Sequence, residues 1–186
     1  SVVNEMAAAS GLPRLAPSER DILKASTFGT GELIKHALER GVRECILGLG
    51  GSATQDGGAG AAAALGIRYL DGDGRLITSG GDLHRLAKID TGQLIPGFTE
   101  THFVIASDVT NPLYGPSGAT AVFALQKGAS QEQLPVLEAG IIRLAELVQT
   151  QTGIDLQNIP GSGAAGGLAV PFIAFGHAQV RQGLDV

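Results

Sequence analysis

The chain has 186 residues, 44% of them hydrophobic and 17% charged, which is enough apolar material for the core of one ordinary domain. A formal net charge of -5, no basic stripe and only 4% aromatic residues leave neither a phosphate-backbone footprint nor a base-stacking platform, so nucleic acid is not an expected partner. No apolar run reaches eighteen residues, so no membrane span is expected, and one cysteine without a leader-like start points to the cytoplasm.

Along the chain, TFGTGELIKHALERGV (27–42) places Leu33, Ile34, Ala37 and Leu38 at helical spacing, with Thr30 as the expected N-cap and Gly41 as the stop. RECILGL (43–49) is a short apolar run of the buried-strand type. It empties into GLGGSATQDGGAG (48–60), after which an alanine-rich helix is expected to start near Asp56. In IRYLDGDGRLI (67–77), Asp71-Gly72-Asp73-Gly74 signals a hairpin, whose antiparallel pair would make the sheet mixed. HFVIASD (102–108) is a second buried strand and again ends on a loop of Pro, Gly and hydroxyls. QEQLPVLEAGIIRLAELVQTQTG (131–153) reads as a long amphipathic helix with Pro135 in its first turn and Gly153 at its end. PGSGAAGGLAVPFIAFG, from Pro160, leads into a small-residue helix. The order predicts a single α/β domain over 1–186, layered, with a mixed, partly parallel sheet flanked by helices and glycine-rich strand-to-helix loops.

Three loops carry the usable chemistry. In the first, Gly50, Gly51, Gly57 and Gly58 would let main-chain N–H groups face an anion, with Ser52, Thr54 and Asp56 beside them; the competing reading is a strand-to-helix turn capped by Asp56. In the second, Asp108 stands at a strand's carboxyl end, where it can hold a metal or accept a hydroxyl proton, while Asn111 can orient an anion. The alternative there is an Asx-turn before Pro112, and Lys127 further on reads from its spacing as the solvated end of a helix. In the third, Gly161, Ser162 and Gly163 form another candidate cradle, against close helix packing through Gly166 and Gly167. The histidines are scattered, Cys45 sits in a buried strand, and Ser52 lacks the G-x-S-x-G context of a hydrolase. No G-x-G-x-x-G with a following acidic residue supports a dehydrogenase.

EMAAASGL (5–12), TFGTGELI, GLGGSATQDGGAG, ASDVTNPLYGPSGATAVFALQKGA and PGSGAAGGLAVPF together resemble successive motifs of the bacterial glycerate kinase family, in the family's order and over the whole chain. The resemblance implies ATP-dependent phosphorylation of D-glycerate with Mg²⁺, giving 2-phosphoglycerate, in two α/β domains with the site between them. The chain then corresponds to most of the inserted domain. The family's N-terminal DSFKG-like motif and closing GEG-like motif do not occur here, so a Rossmann-like partner domain is missing and the fragment by itself is expected to bind weakly and not turn over. A domain that binds a small acid or phosphate without catalysis is the alternative. Under the resemblance, Asp108, Asp56 and Lys127 become the candidate catalytic residues, with Asp108 or Asp56 on the metal, and the glycine loops with Ser52, Thr54, Asn111 and Ser162 become anion contacts. Gln55, where Asn is commoner, and Ala124-Leu125, where Gly-Pro is commoner, depart from the pattern.

Overall fold

A computed structural model describes residues 1–181. In chain order its strands are β1 (Val2–Glu5), β2 (Glu44–Gly48), β3 (Arg68–Asp71), β4 (Leu86–Asp90), β5 (His102–Ala106) and β6 (Gln179–Arg181). The helices are α1 (Ala7–Ser10), α2 (Phe28–Glu39), α3 (Ala59–Ala64), α4 (Ala119–Phe123), α5 (Leu134–Thr152) and α6 (Val170–Gly176). β1, β2, β5 and β6 form one parallel sheet in that order, so each crossover steps outward in the same direction. The expected α/β architecture is therefore present.

Register sets what the sheet buries. Val2, Cys45 and Phe103 lie in one cross-strand row, and Asn4, Leu47, Ile105 and Val180 in another. Cys45, Leu47, Phe103 and Ile105 are fully buried and join one core with Ile34 and Leu38 of α2 and Phe172 of α6. Phe98, Phe103 and Phe172 stack with ring centroids 5.0 to 6.0 Å apart, which packs α6 on β5 through tilted aromatic contacts. The next row, Glu5–Gly48–Ala106–Arg181, ends the sheet, where β2 and β5 hand the chain to loops and β1 passes through Met6 into α1.

The antiparallel pair forms, but as a separate two-stranded sheet of β3 with β4. The Asp71 turn closes as expected, with its Oδ1 accepting from the N–H groups of Asp73 and Arg75, yet the arm beyond contributes only an isolated bridge, Leu70 to Leu76. The arm still reaches the core through Ile77, whose N–H donates to the Tyr69 carbonyl, while Leu76 is exposed; β4 brings both Leu86 and Ile89 into the core. α5 spans the expected helix, with Pro135 in its first turn and Gly153 in the left-handed conformation at its C-cap.

Thr30 is not an N-cap. α2 starts at Phe28, two residues earlier, and Thr30 sits inside it with its hydroxyl 2.8 Å from that of Ser10. The cap is supplied from a distance by Asp56. Its Oδ2 accepts from the backbone N–H and the hydroxyl of Thr27, both at 2.8 Å, and from the N–H of Gly60, while its Oδ1 accepts from the N–H of Gly58. The Thr27 hydroxyl oxygen accepts in turn from the N–H of Ala61. One fully buried carboxylate thus fixes the starts of α2 and α3, which cross where a methyl group on Gly31 would come within 2.7 Å of Ala61. Replacing Asp56 with Ala strands four buried donors and is expected to destabilise the chain by about 3 kcal/mol or more, with Asp56→Asn in between. Urea denaturation checks this, and an Ala variant within ~0.5 kcal/mol of the wild type would contradict it.

Candidate active site

A cavity of about 550 Å³ opens at the carboxyl ends of β1, β2 and β5. Open α/β sheets bind ligands at that edge, because loops leave the strands there and helices begin there. Its lining includes Gly50, Gly51 and Ser52 from the loop after β2, Asp108 from the loop after β5, and Lys127. Glu5, Ser107 and Gln126 complete the polar lining, and none of these three stood out in the sequence.

Lys127 is the least expected of them in its surroundings. α4 runs into a short 3-10 turn, Leu125–Lys127, closed by Gly128 at φ 97°, and this swings the side chain inward until it is 3% exposed. A solvated helix end is not what forms. Nζ donates to the carbonyl oxygen of Thr54 at 2.8 Å, one of the three bonds an ammonium can make. Burial lowers its pKa to about 8, and the negative charge of Asp56 limits the fall.

The other polar groups of the cavity are also short of partners. The N–H groups of Gly50, Gly51 and Ser52 donate to no acceptor among the described residues. Asp108 is exposed and does not tie its own loop; Ser107 does so, its hydroxyl exchanging hydrogen bonds with the backbone of Val109. Among the described residues no cluster of three or more His, Cys, Asp and Glu forms a metal-binding group. Asp108 and Glu5 are the cavity's carboxylates, and one or two carboxylates plus substrate oxygens is the donor set on which Mg²⁺ usually sits.

The remaining candidate residues of the three loops lie outside the cavity. Asp56 is enclosed as a helix cap in place of the metal or hydroxyl contact expected of it; burial pushes its carboxyl upward against the four donors that hold it down. The positive end of α3 is answered by Asp56 and Thr27, so the anion cradle expected there does not exist as drawn. Gly57 and Gly58 serve packing: a methyl group on Gly58 would lie 2.6 Å from Pro171. Thr54 is buried and reaches the site only through the carbonyl that holds Lys127. Asn111 ties its loop, donating to the Ser117 carbonyl and accepting at its backbone oxygen from the N–H of Gly163. Gly161 and Ser162 are buried beside it, and Gly166 and Gly167 take the close-packing role against Gln55 and Gly57. Only Ala164 and Ala165 of that third loop reach the cavity. Gln55 is fully buried and donates to the Thr120 hydroxyl, so this departure from the family pattern lies away from the cavity wall.

This arrangement defines an α/β domain whose cavity, lined by both polar and apolar side chains, has a buried cation and unpaired amides at the carboxyl edge of a parallel sheet. The chain belongs to the glycerate kinase family, which it matches over residues 1–186. It is 44% identical over 183 residues to a glycerate kinase of Bacillus cereus and 43% identical over 183 residues to the glycerate 2-kinase of Escherichia coli K12, covering 98% of this chain and 48% of each relative. A crystal structure assigned as glycerate kinase 2 of Salmonella typhimurium LT2 superposes with a TM-score of 0.94 at 46% identity, over 98% of this chain and 49% of that one. The chain thus spans about half the length of the relatives it matches.

The buried ammonium makes a prediction that ordinary packing would not. With its pKa near 8 in the fold and 10.5 as the ordinary value, protonated Lys127 costs the folded state about 3 kcal/mol below pH 8. Because the folded value is depressed, the unfolded chain holds the extra proton between the two values, and stability rises with pH across that window. Lys127→Met is expected to be more stable than the wild type at pH 7 by about 1–2 kcal/mol, once the lost bond to Thr54 is deducted, and this lead should shrink between pH 8 and 10.5. Paired urea titrations across that range measure it; a Met variant less stable at pH 7 would contradict the cost assigned to the charge.

Proposed function

We propose that this chain is the inserted domain of an ATP-dependent glycerate kinase that transfers the γ-phosphoryl of ATP to D-glycerate, giving 2-phosphoglycerate. The observation that carries the reading is Lys127: a cation buried at the cavity wall, at a cost in stability, with one of three donors used. Such a group is retained where an anion completes it, and both substrates are anions.

Phosphoryl transfer asks a protein mainly for positioning and charge neutralisation. Lys127 neutralises the carboxylate or phosphate that enters the cavity. The amides of Gly50, Gly51 and Ser52 offer fixed donors to its oxygens, and the glycines leave the backbone bare enough for close approach. Asp108, at the mouth and without a partner, would hold Mg²⁺, which supplies charge neutralisation between the phosphates when bound. The glycerate hydroxyl oxygen forms the new bond to the γ-phosphorus as the bond from that phosphorus to the leaving oxygen of ADP breaks, and the hydroxyl proton passes to a carboxylate of the cavity and from there to solvent.

The cavity is open on one side, and transfer in water requires closure around both substrates. The rest of a protein of the relatives' length supplies that closure in this reading. No helix among the described residues is long and apolar enough to cross a membrane. With one cysteine, buried at Cys45, we place the enzyme in the cytoplasm.

A coupled assay of ADP release with D-glycerate, run on the two-domain enzyme and on the 186-residue chain side by side, tests the reading. Turnover is expected from the first and none above background from the second. Asp108→Asn in the two-domain enzyme should keep the fold and lower turnover about a hundredfold, ~3 kcal/mol in the barrier. Unchanged turnover of that variant at saturating Mg²⁺ would refute the role of Asp108, and steady turnover by the 186-residue chain would refute the need for a partner domain.

A further inference from the structure

Glu5 ends β1 and stands in the same cross-strand row as Gly48 and Ala106. A methyl group built on Gly48 would lie 2.6 Å from Glu5 Oε2 and 2.9 Å from both Oε1 and Cδ, so the whole carboxylate rests over the bare face of that glycine. Any other residue at position 48 would push it away. The glycine at the end of β2 therefore has a local cause, and that cause lies inside the cavity that Glu5 and Gly48 both line.

No hydrogen bond or ion pair engages the Glu5 carboxylate among the described residues. Several acids of the chain are partnered, Asp71 by Arg85, Asp90 by Arg68, Glu100 by Arg43 and Glu138 by the N–H of Gly115, whereas the cavity's two carboxylates, Glu5 and Asp108, are not. Glu5 is exposed at the cavity, lying over the bare face of Gly48 with both carboxylate oxygens open to whatever fills the cavity. A carboxylate repels the acid group of a small hydroxy acid and the phosphates of a nucleotide alike, so of the ligand's groups it suits a hydroxyl. Lys127 and the free amides of the loop after β2 suit the anionic end.

We infer that Glu5, seated over Gly48, binds a hydroxyl group of the acceptor substrate and so selects a hydroxy acid over the acid that lacks that hydroxyl. This rests on the glycerate kinase reading above. The two ends of the acceptor are read by opposite charges: hydroxyl toward Glu5, carboxylate toward Lys127.

The test is steady-state kinetics in the two-domain enzyme, with D-glycerate, ATP and Mg²⁺ each varied, and with lactate, which lacks the 3-hydroxyl, and 3-hydroxypropionate, which lacks the 2-hydroxyl, as competing inhibitors. Glu5→Ala is expected to raise the KM for D-glycerate by ~10- to 100-fold, the scale of one hydrogen bond to a charged acceptor, with the KM for ATP unchanged. It should also erase the preference for D-glycerate over one of the two inhibitors. Glu5→Gln, which keeps the acceptor oxygen without the charge, should recover part of the loss. Gly48→Ala should reproduce the Glu5→Ala defect, and the double variant should be no worse than Glu5→Ala alone, since both changes remove the same contact. An unchanged KM for D-glycerate in Glu5→Ala, a defect confined to the Mg²⁺ requirement, or defects of Gly48→Ala and Glu5→Ala that simply add would each overturn the inference while leaving the kinase reading intact. A wild-type enzyme with no D-glycerate-dependent ADP release would overturn the reading itself.

Discussion

The fold turns on one buried carboxylate. Asp56 has no exposed surface, yet it receives two bonds from Thr27 and one each from Gly58 and Gly60, so the helix beginning at Phe28 and the helix beginning at Ala59 are anchored to the same two oxygen atoms. A charge in such a place is tolerated only when donors surround it, and here the donors are the N–H groups that helix starts leave unpaired. The anchor works together with the Ala61 N–H bond to the Thr27 hydroxyl and with the close packing of Gly31 on Ala61 to hold the crossing of these helices.

Asp56 also reaches the cavity without lining it. Its field is the influence that keeps Lys127 from losing its proton more readily, while the Thr54 carbonyl, two residues before Asp56 in the chain, fixes where the ammonium points. The glycine loop after β2 therefore does two jobs with different residues. Gly50, Gly51 and Ser52 face the cavity, and the segment from Thr54 to Gly58 is buried framework. Bare backbone serves both, for close approach of a ligand in the first half and for close approach of α6 and its loop in the second.

The sequence made the sheet's two central strands legible, because RECILGL and HFVIASD are short apolar runs that each end on a glycine or hydroxyl loop. α5 was legible for a similar reason: its apolar spacing is long, and Pro135 and Gly153 mark its ends. β1 was not, since VVNE is four residues at a sheet edge with alternate residues exposed, too short to show a period, and Glu5 was missed with it. The start of α2 was misplaced because its capping group lies 29 residues away in sequence. Asp108 could be placed at a strand end from its motif alone, whereas the burial of Lys127 depends on a contact with Thr54 across 73 residues, which no local pattern records. Local signals located the loops; which half of each loop faces the ligand is a tertiary fact.

The claim on which the site depends is that the Lys127 ammonium is buried, charged and waiting for an anion. Its titration can be followed directly by NMR of the lysine side chains in the isotope-labelled chain, with Lys127→Met to assign the signal. A midpoint near pH 8 that moves upward when D-glycerate or phosphate is bound is expected, and a midpoint near the ordinary 10.5 would contradict a buried, unsatisfied ammonium.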